Sequence, residues 1–158
     1  MSDHAPSDIH LNVHVRHTPG GVVGFEAVPD HRIKVHAGAP VNGACKLHKF
    51  RYTRGDIDIL PAGSSDVWHE DAASTSLVVH MPPSLLRRTA EEMGLPADRA
   101  SLAERHQLRD AHIEHIAWAL DAERRAGFPN GTLYADSLGT ALAAHLLGGH
   151  RLHETAPV

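Results

Sequence analysis

Apolar residues take every second place near the start of the chain. Ile9, Leu11, Val13 and Val15 alternate with His10, Asn12, His14 and Arg16, the period of a strand with one covered face. Thr18-Pro19-Gly20-Gly21 breaks the run, because proline and paired glycines punctuate regular structure. A second strand is predicted over 22–28, turned by Pro29-Asp30. Residues 32–36 alternate again, with Ile33 and Val35 on one face. A loop over 38–43 leads to a strand predicted as one piece over 44–52. Arg54-Gly55-Asp56 turns into a strand at 57–60, and Pro61-Ala62-Gly63 turns again. Strands at 67–69 and 74–80 close the series. Short strands with turn signals at this spacing predict an all-β sandwich or barrel.

The period then changes. Pro82-Pro83 ends the last strand, and Ser84 is placed to cap a helix to Met93, with Gly94 as its stop. No element is assigned to 95–107. Asp110 is placed to cap a longer helix to about 126, whose Ile113, Ile116, Ala117 and Leu120 fall at i, i+3, i+4 and i+7, one stripe. After the turn Pro129-Asn130-Gly131, a last helix carries Leu138, Ala141, Leu142, Ala144 and Leu146 and ends at Gly148-Gly149. Two helices joined by a short turn are expected to pack antiparallel. The fold class predicted is mainly β with C-terminal helices (α+β), as a single domain: a barrel over about 8–80, a helical part over about 84–148 and a tail over 151–158.

Composition narrows the function classes. The chain has 158 residues, 42% hydrophobic and 22% charged, enough for one domain with a core. No apolar run approaches the roughly 18 residues of a membrane span. The polar start MSDHAPSD has no signal-peptide pattern. Cys45 is the single cysteine, which excludes an intrachain disulfide and suits a reducing compartment, so a cytoplasmic location is expected. The formal net charge is -4, and the short basic pairs Arg87-Arg88 and Arg124-Arg125 lie in helical patterns as solvated faces. Direct nucleic-acid binding by this chain is therefore not expected. The 15 histidines are scattered, with neither HxH nor HExxH spacing.

Gly55, five residues, then Pro61-Ala62-Gly63 has the form of a cupin barrel turn. A cupin metal centre needs an upstream pair of histidines and a carboxylate, and a histidine past the turn. Here Lys46, His48 and Lys49 stand upstream and Asp66 stands downstream, and lysine repels a cation. His10 and His14 share a strand face from which they reach toward His36 or His48. No metal and no cofactor are expected, and the histidines are read as solvent-facing.

GDIDILPAG with Trp68, then TSLVVHMPPSLLRRTAEEMGL, LRDAHIEHIAWALDAE and LYADSLGTALAAHLL, together resemble the N-terminal domain of AraC-family transcriptional regulators over about 32–147. The resemblance implies a cupin-like β-barrel followed by helices, a small-molecule effector in the barrel, and a homodimer through the helices. DNA reading would belong to a separate C-terminal domain beginning shortly after Leu147, whereas the sequence given stops at Val158.

Individual residues carry two readings each. Trp68 stacks on a ligand in the barrel mouth or packs as a core aromatic; with His36 and His80 it makes up the candidate ligand-contact set. Cys45 lacks a Cys/His/Asn arrangement and is read as a small buried residue rather than a nucleophile. Asp56 and Asp58 are read as solvent-exposed, like Asp66, Glu70 and Asp71, and no catalytic residue is assigned. Ile113, Ile116, Trp118 and Leu120 are the candidate dimer contacts, widened by Ala119, Ala122 and Ala143; small residues permit close helix approach. The functional expectation is a sensor and dimerisation domain without enzymatic activity. The rivals are a stand-alone cupin enzyme with a divalent cation, and a short chain that forms mixed dimers with a full-length regulator.

Overall fold

In the computed structural model, residues 11–152 are described; Ile9, His10 and most of the tail predicted over 151–158 lie outside them. Among the described residues nine strands and three α-helices follow in order: β1 Asn12–Thr18, β2 Gly21–Phe25, β3 His31–His36, β4 Val41–Cys45, β5 His48–Tyr52, β6 Ile57–Leu60, β7 Asp66–Glu70, β8 Ser74–Met81, α1 Pro83–Glu92, β9 Arg105–Leu108, α2 Ala111–Arg125 and α3 Gly131–Gly149, with a single 3-10 turn at Ala97–Arg99 after α1. The strands form two antiparallel sheets, a five-stranded one ordered β1-β8-β3-β6-β9 and a four-stranded one ordered β2-β7-β4-β5. The arrangement is β-rich with helices at the C-terminal end, which agrees with the predicted class.

The single strand predicted over 44–52 is a hairpin. Cys45 pairs with His48 across a two-residue turn, where Lys46 sits at φ 54 and Leu47 projects fully into solvent. A two-residue hairpin turn uses left-handed backbone, usually signalled by Gly, Asn or Asp. Lysine here gives no such signal. Strand β9 has no periodic apolar pattern either: all four of its side chains are exposed or half-buried, and only its pairing with β6 reveals it. Helix α1 begins on Pro82 as its cap residue, with Pro83 in its first turn, a favoured place for proline because its missing N–H has no helical partner. Asp110 does cap α2: its side chain accepts from the backbone N–H of His112 and of Ile113.

The five-stranded sheet is covered on both faces. Val13, Ile33, Val35, Ile57, Ile59, Leu77, Val79 and Met81 point to the helices and share one core with Leu85, Leu86, Ile113, Leu120, Leu142 and Leu146. Each such buried side chain contributes roughly 1.5–3 kcal/mol relative to exposure. The alternate residues of the same strands face the second sheet. A smaller apolar cluster sits there, built from Val23, Phe25, Leu60, Trp68 and Val78. Among the described residues no helix is long and apolar enough to cross a membrane.

Candidate functional site

Strand parity places polar side chains between the sheets. On β3, Ile33 and Val35 belong to the helix-facing core, so Arg32 and Lys34 turn to the opposite sheet. Lys34 Nζ lies 4.6 Å from the centre of the Trp68 ring and 5.1 Å from that of Tyr52, close enough for cation–π attraction. On β6 the same alternation sends Asp58 inward between Ile57 and Ile59. The expectation that Asp56, Asp58 and Glu70 are solvent-exposed is corrected: all three are buried, as are His31 and His36. A polar position in an alternating strand faces solvent only when nothing covers that face.

A cavity of about 370 Å³ opens here, lined by Cys45, His48, Phe50, Tyr52, Asp58, Asp66, Trp68, His106 and Gln107. Its walls are aromatic. Trp68 is held in one orientation because its indole N–H donates to Glu70 at 2.8 Å, and Ser74 donates to the other Glu70 oxygen at 2.6 Å. The Trp68 ring packs against Phe25 with centroids 5.7 Å apart, and Phe50 meets Tyr52 edge-on at 5.1 Å.

Its floor is charged. Asp58 Oδ1 accepts from Tyr52 Oη at 2.6 Å and from the Gln107 backbone N–H at 2.9 Å. Lys34 Nζ lies 3.8 Å from Asp58 Oδ2. His106 Nδ1 lies 3.6 Å from Asp58 and 3.9 Å from Asp66, while its Nε2 lies 3.6 Å from Glu104. Burial alone would raise the Asp58 pKa, but His106, Lys34, Tyr52 and the Gln107 N–H together lower it. Tyr52 is pushed up by burial and then by the Asp58 charge, so its hydroxyl remains a donor. Burial lowers Lys34, opposed by Asp58 and Glu70. His106 is raised, chiefly by the neighbouring Asp58 carboxylate.

β9 completes the site by being irregular. Its register against β6 shifts between Ile57 and Ile59, opposite Leu108 and Arg105, and Gln107 sits at φ 52. Left-handed backbone at a residue other than glycine costs about 1–3 kcal/mol and persists where surroundings hold it. The holders are visible: Gln107 donates from its backbone to Asp58, and from its side chain to Arg51 O at 2.6 Å and to Asp56 at 3.4 Å. The bulge lets successive residues, His106 and Gln107, both line the cavity, which regular alternation forbids.

Of the three candidate ligand contacts, Trp68 lines the cavity. His36 is bonded to Ala39 O at 2.7 Å and lies outside the lining. His80 stacks on His14 at 5.1 Å and faces Asp30 at 4.0 Å, also outside it. Cys45, read as buried, is half-buried at the cavity edge, with Sγ 3.6 Å from Val67 O. His106, Gln107 and Asp58 were missed as a set, since their only sequence signal was polarity. Of the candidate dimer contacts, Ile113 and Leu120 are buried within the chain's own core, while Ile116 and Trp118 are half-buried, and the Arg54 guanidinium covers the Trp118 ring at 4.5 Å.

No family model matches the chain, and no curated protein matches it. Solved structures do. ToxT from Vibrio cholerae O395, bound to (E)-4-(8-methylnaphthalen-1-yl)but-3-enoic acid, is 13% identical with a TM-score of 0.54, the match covering 86% of this chain and 55% of ToxT. The AraC-like transcriptional activator CuxR is 11% identical with a TM-score of 0.50, covering 95% of this chain and 56% of CuxR. The chain thus spans about half the length of each. At these identities the likeness establishes the fold alone. The expectation that the chain is not an enzyme is corrected: its matches also include the DMSP lyase DddQ from Ruegeria pomeroyi DSS-3, 19% identical over 46% of this chain and 39% of that protein, at a TM-score of 0.37. So distant a likeness neither assigns nor excludes enzymatic activity, since chemistry is set by a site and not by a fold.

Proposed function

We propose that the chain is a small-molecule-sensing domain of an AraC-like regulator, with the inter-sheet cavity as its effector site. The observation that carries this reading is the cavity itself: about 370 Å³, aromatic on its walls and ionised on its floor. That combination fits a small organic molecule, its apolar body between Trp68 and Phe50 and its polar group toward Asp58, Asp66 and His106. The fold shared with CuxR, an AraC-like activator, supports the regulatory context, and ToxT, of the same fold, is seen with a small organic acid bound. In this reading α2 and α3 form the antiparallel pair through which two copies associate, with Ile116 and Trp118 as the side chains still able to reach a partner. A ligand that orders β5 and β9 would bias that association, since any molecule binding one state better shifts the population toward it.

The test is a small-metabolite screen that follows thermal unfolding and indole fluorescence of the full chain. At 100 times its Kd a ligand stabilises by about 2.7 kcal/mol, a readily visible rise in Tm. A binder is expected to perturb Trp68 emission and to be lost in Phe50→Ala. Each binder is also followed by mass spectrometry for turnover. If no compound in a broad library raises the Tm, or if binding survives Phe50→Ala and Asp66→Asn unchanged, the cavity is not the effector site.

A further inference from the structure

A second cluster of ligating groups lies away from the cavity, where α2 begins and α3 ends. Asp110 caps α2, His145 is in the last turns of α3, and His150 is the C-cap residue of α3. Both imidazoles turn Nε2 to one oxygen, Asp110 Oδ2, each at 2.7 Å. The three groups offer one ligand atom apiece within 4.8 Å of one another. None of the cavity chemistry uses them.

We propose that Asp110, His145 and His150 bind one divalent first-row transition metal ion, with zinc as the probe, and that the ion fastens the start of α2 to the end of α3. Two imidazoles and one carboxylate are a borderline donor set that suits such ions and excludes the all-oxygen preference of calcium or magnesium. The carboxylate is already oriented: Asp110 Oδ1 accepts from the backbone N–H of His112 at 3.0 Å and of Ile113 at 3.2 Å. Hydrogen bonds of this kind fix ligating carboxylates in metal sites. They leave Oδ2 for the metal.

The distances fit a site that opens slightly. A zinc ion sits about 2.0–2.1 Å from each N or O ligand, so the rings draw back from Oδ2 by a fraction of an ångström, with each imidazole's proton on Nδ1. The His145 side chain is 28% exposed and that of His150 11%, and His150 Nδ1 is buried with no hydrogen-bond partner to hold the ring in place. The carbonyl end of α3 favours a cation nearby while the N-terminus of α2 opposes one, so the ligand set and not the helix termini carries the affinity. Three protein ligands leave a fourth position for water; the His112 ring lies 4.6 Å from that of His145.

The experiment uses the full chain, stripped with chelator and titrated with Zn2+ while thermal unfolding is followed, and separately with Co2+ while visible absorption is recorded. One zinc per chain, a rise in Tm and the intense absorption of four-coordinate cobalt are expected. His145→Ala and His150→Ala are each expected to weaken zinc binding by at least about tenfold, a loss at the low end for even outer partners of metal ligands. Asp110→Asn, which keeps an acceptor on the α2 cap, should do the same, and His115→Ala, at an exposed position of α2, should change nothing. The proposal is overturned if zinc raises the Tm of His150→Ala as much as that of the unsubstituted chain. It is equally overturned if zinc leaves that chain unshifted, the three residues then being a hydrogen-bonded clasp alone.

Discussion

Asp58 is the residue on which most of the cavity floor depends. It and Lys34 are each nearly inaccessible, with side chains 7% and 6% exposed. Removing one partner of such a pair leaves a buried charge without compensation, typically at a cost of about 3–5 kcal/mol. Asp58→Asn keeps acceptors for Tyr52 and Gln107, so its cost isolates the charge: a loss of about 3 kcal/mol in urea unfolding is expected. The histidines give a pH signature. His106 is raised above its ordinary 6.5, so its contribution to stability is full below pH 6.5 and fades as the pH rises through the raised value. The difference in unfolding free energy between the chain and His106→Gln should therefore shrink over that window. Burial lowers His14, His31 and His80, which has the opposite sign. Their contribution is present above pH 6.5 and is lost on acidification, so chemical unfolding at decreasing pH below 6.5 should show falling stability in the His106→Gln background.

At the scale of elements, the β4–β5 hairpin shapes the cavity wall. A Cβ on Gly43 would meet the Phe50 ring at 2.4 Å and the His69 carbonyl oxygen at 2.5 Å. The second contact is backbone and does not yield, so Gly43→Ala must displace the strand pair and Phe50 with it. A destabilisation of about 1–3 kcal/mol is expected from overpacking, together with loss of any ligand affinity found for the cavity; a substitution that leaves both unchanged would show that the wall is looser than its geometry. The hairpin, like β9, carried no turn or periodicity signal. By contrast α2 was legible from its cap and stripe, because Asp110 acts on backbone groups two and three residues away and Ile113, Ala117 and Leu120 recur at helical spacing. Local chemistry is written locally.

At the scale of the molecule, the five-stranded sheet separates two environments. Its helix-facing side is an apolar layer shared with α1, α2 and α3, and Leu142 sits fully buried within it. Leu142→Ala is expected to cost about 2–5 kcal/mol, measured by the midpoint of urea unfolding at constant slope. The other side is the ionised, aromatic chamber between the sheets. Ile33 and Val35 were read correctly as one face of β3, but the layer they meet is the helices, and their polar neighbours Arg32, Lys34 and His36 are enclosed as well.

The sequence by itself determined that strands fill the first half and helices dominate the second, the turns marked by proline and glycine, the cap of α2 and the apolar stripe of its core face. These depend on the nearest few residues, whose backbone preferences and hydrogen bonds need no distant partner. Tertiary structure alone decided which faces meet water. It buried Asp58 under a second sheet, gave β9 a partner in β6 and let a bulge bring His106 and Gln107 to the same cavity. It also carried Asp110 to His145 and His150, more than thirty positions away in the chain. Polarity along a strand records that a side chain needs polar company; only the folded neighbours decide whether water or another side chain provides it.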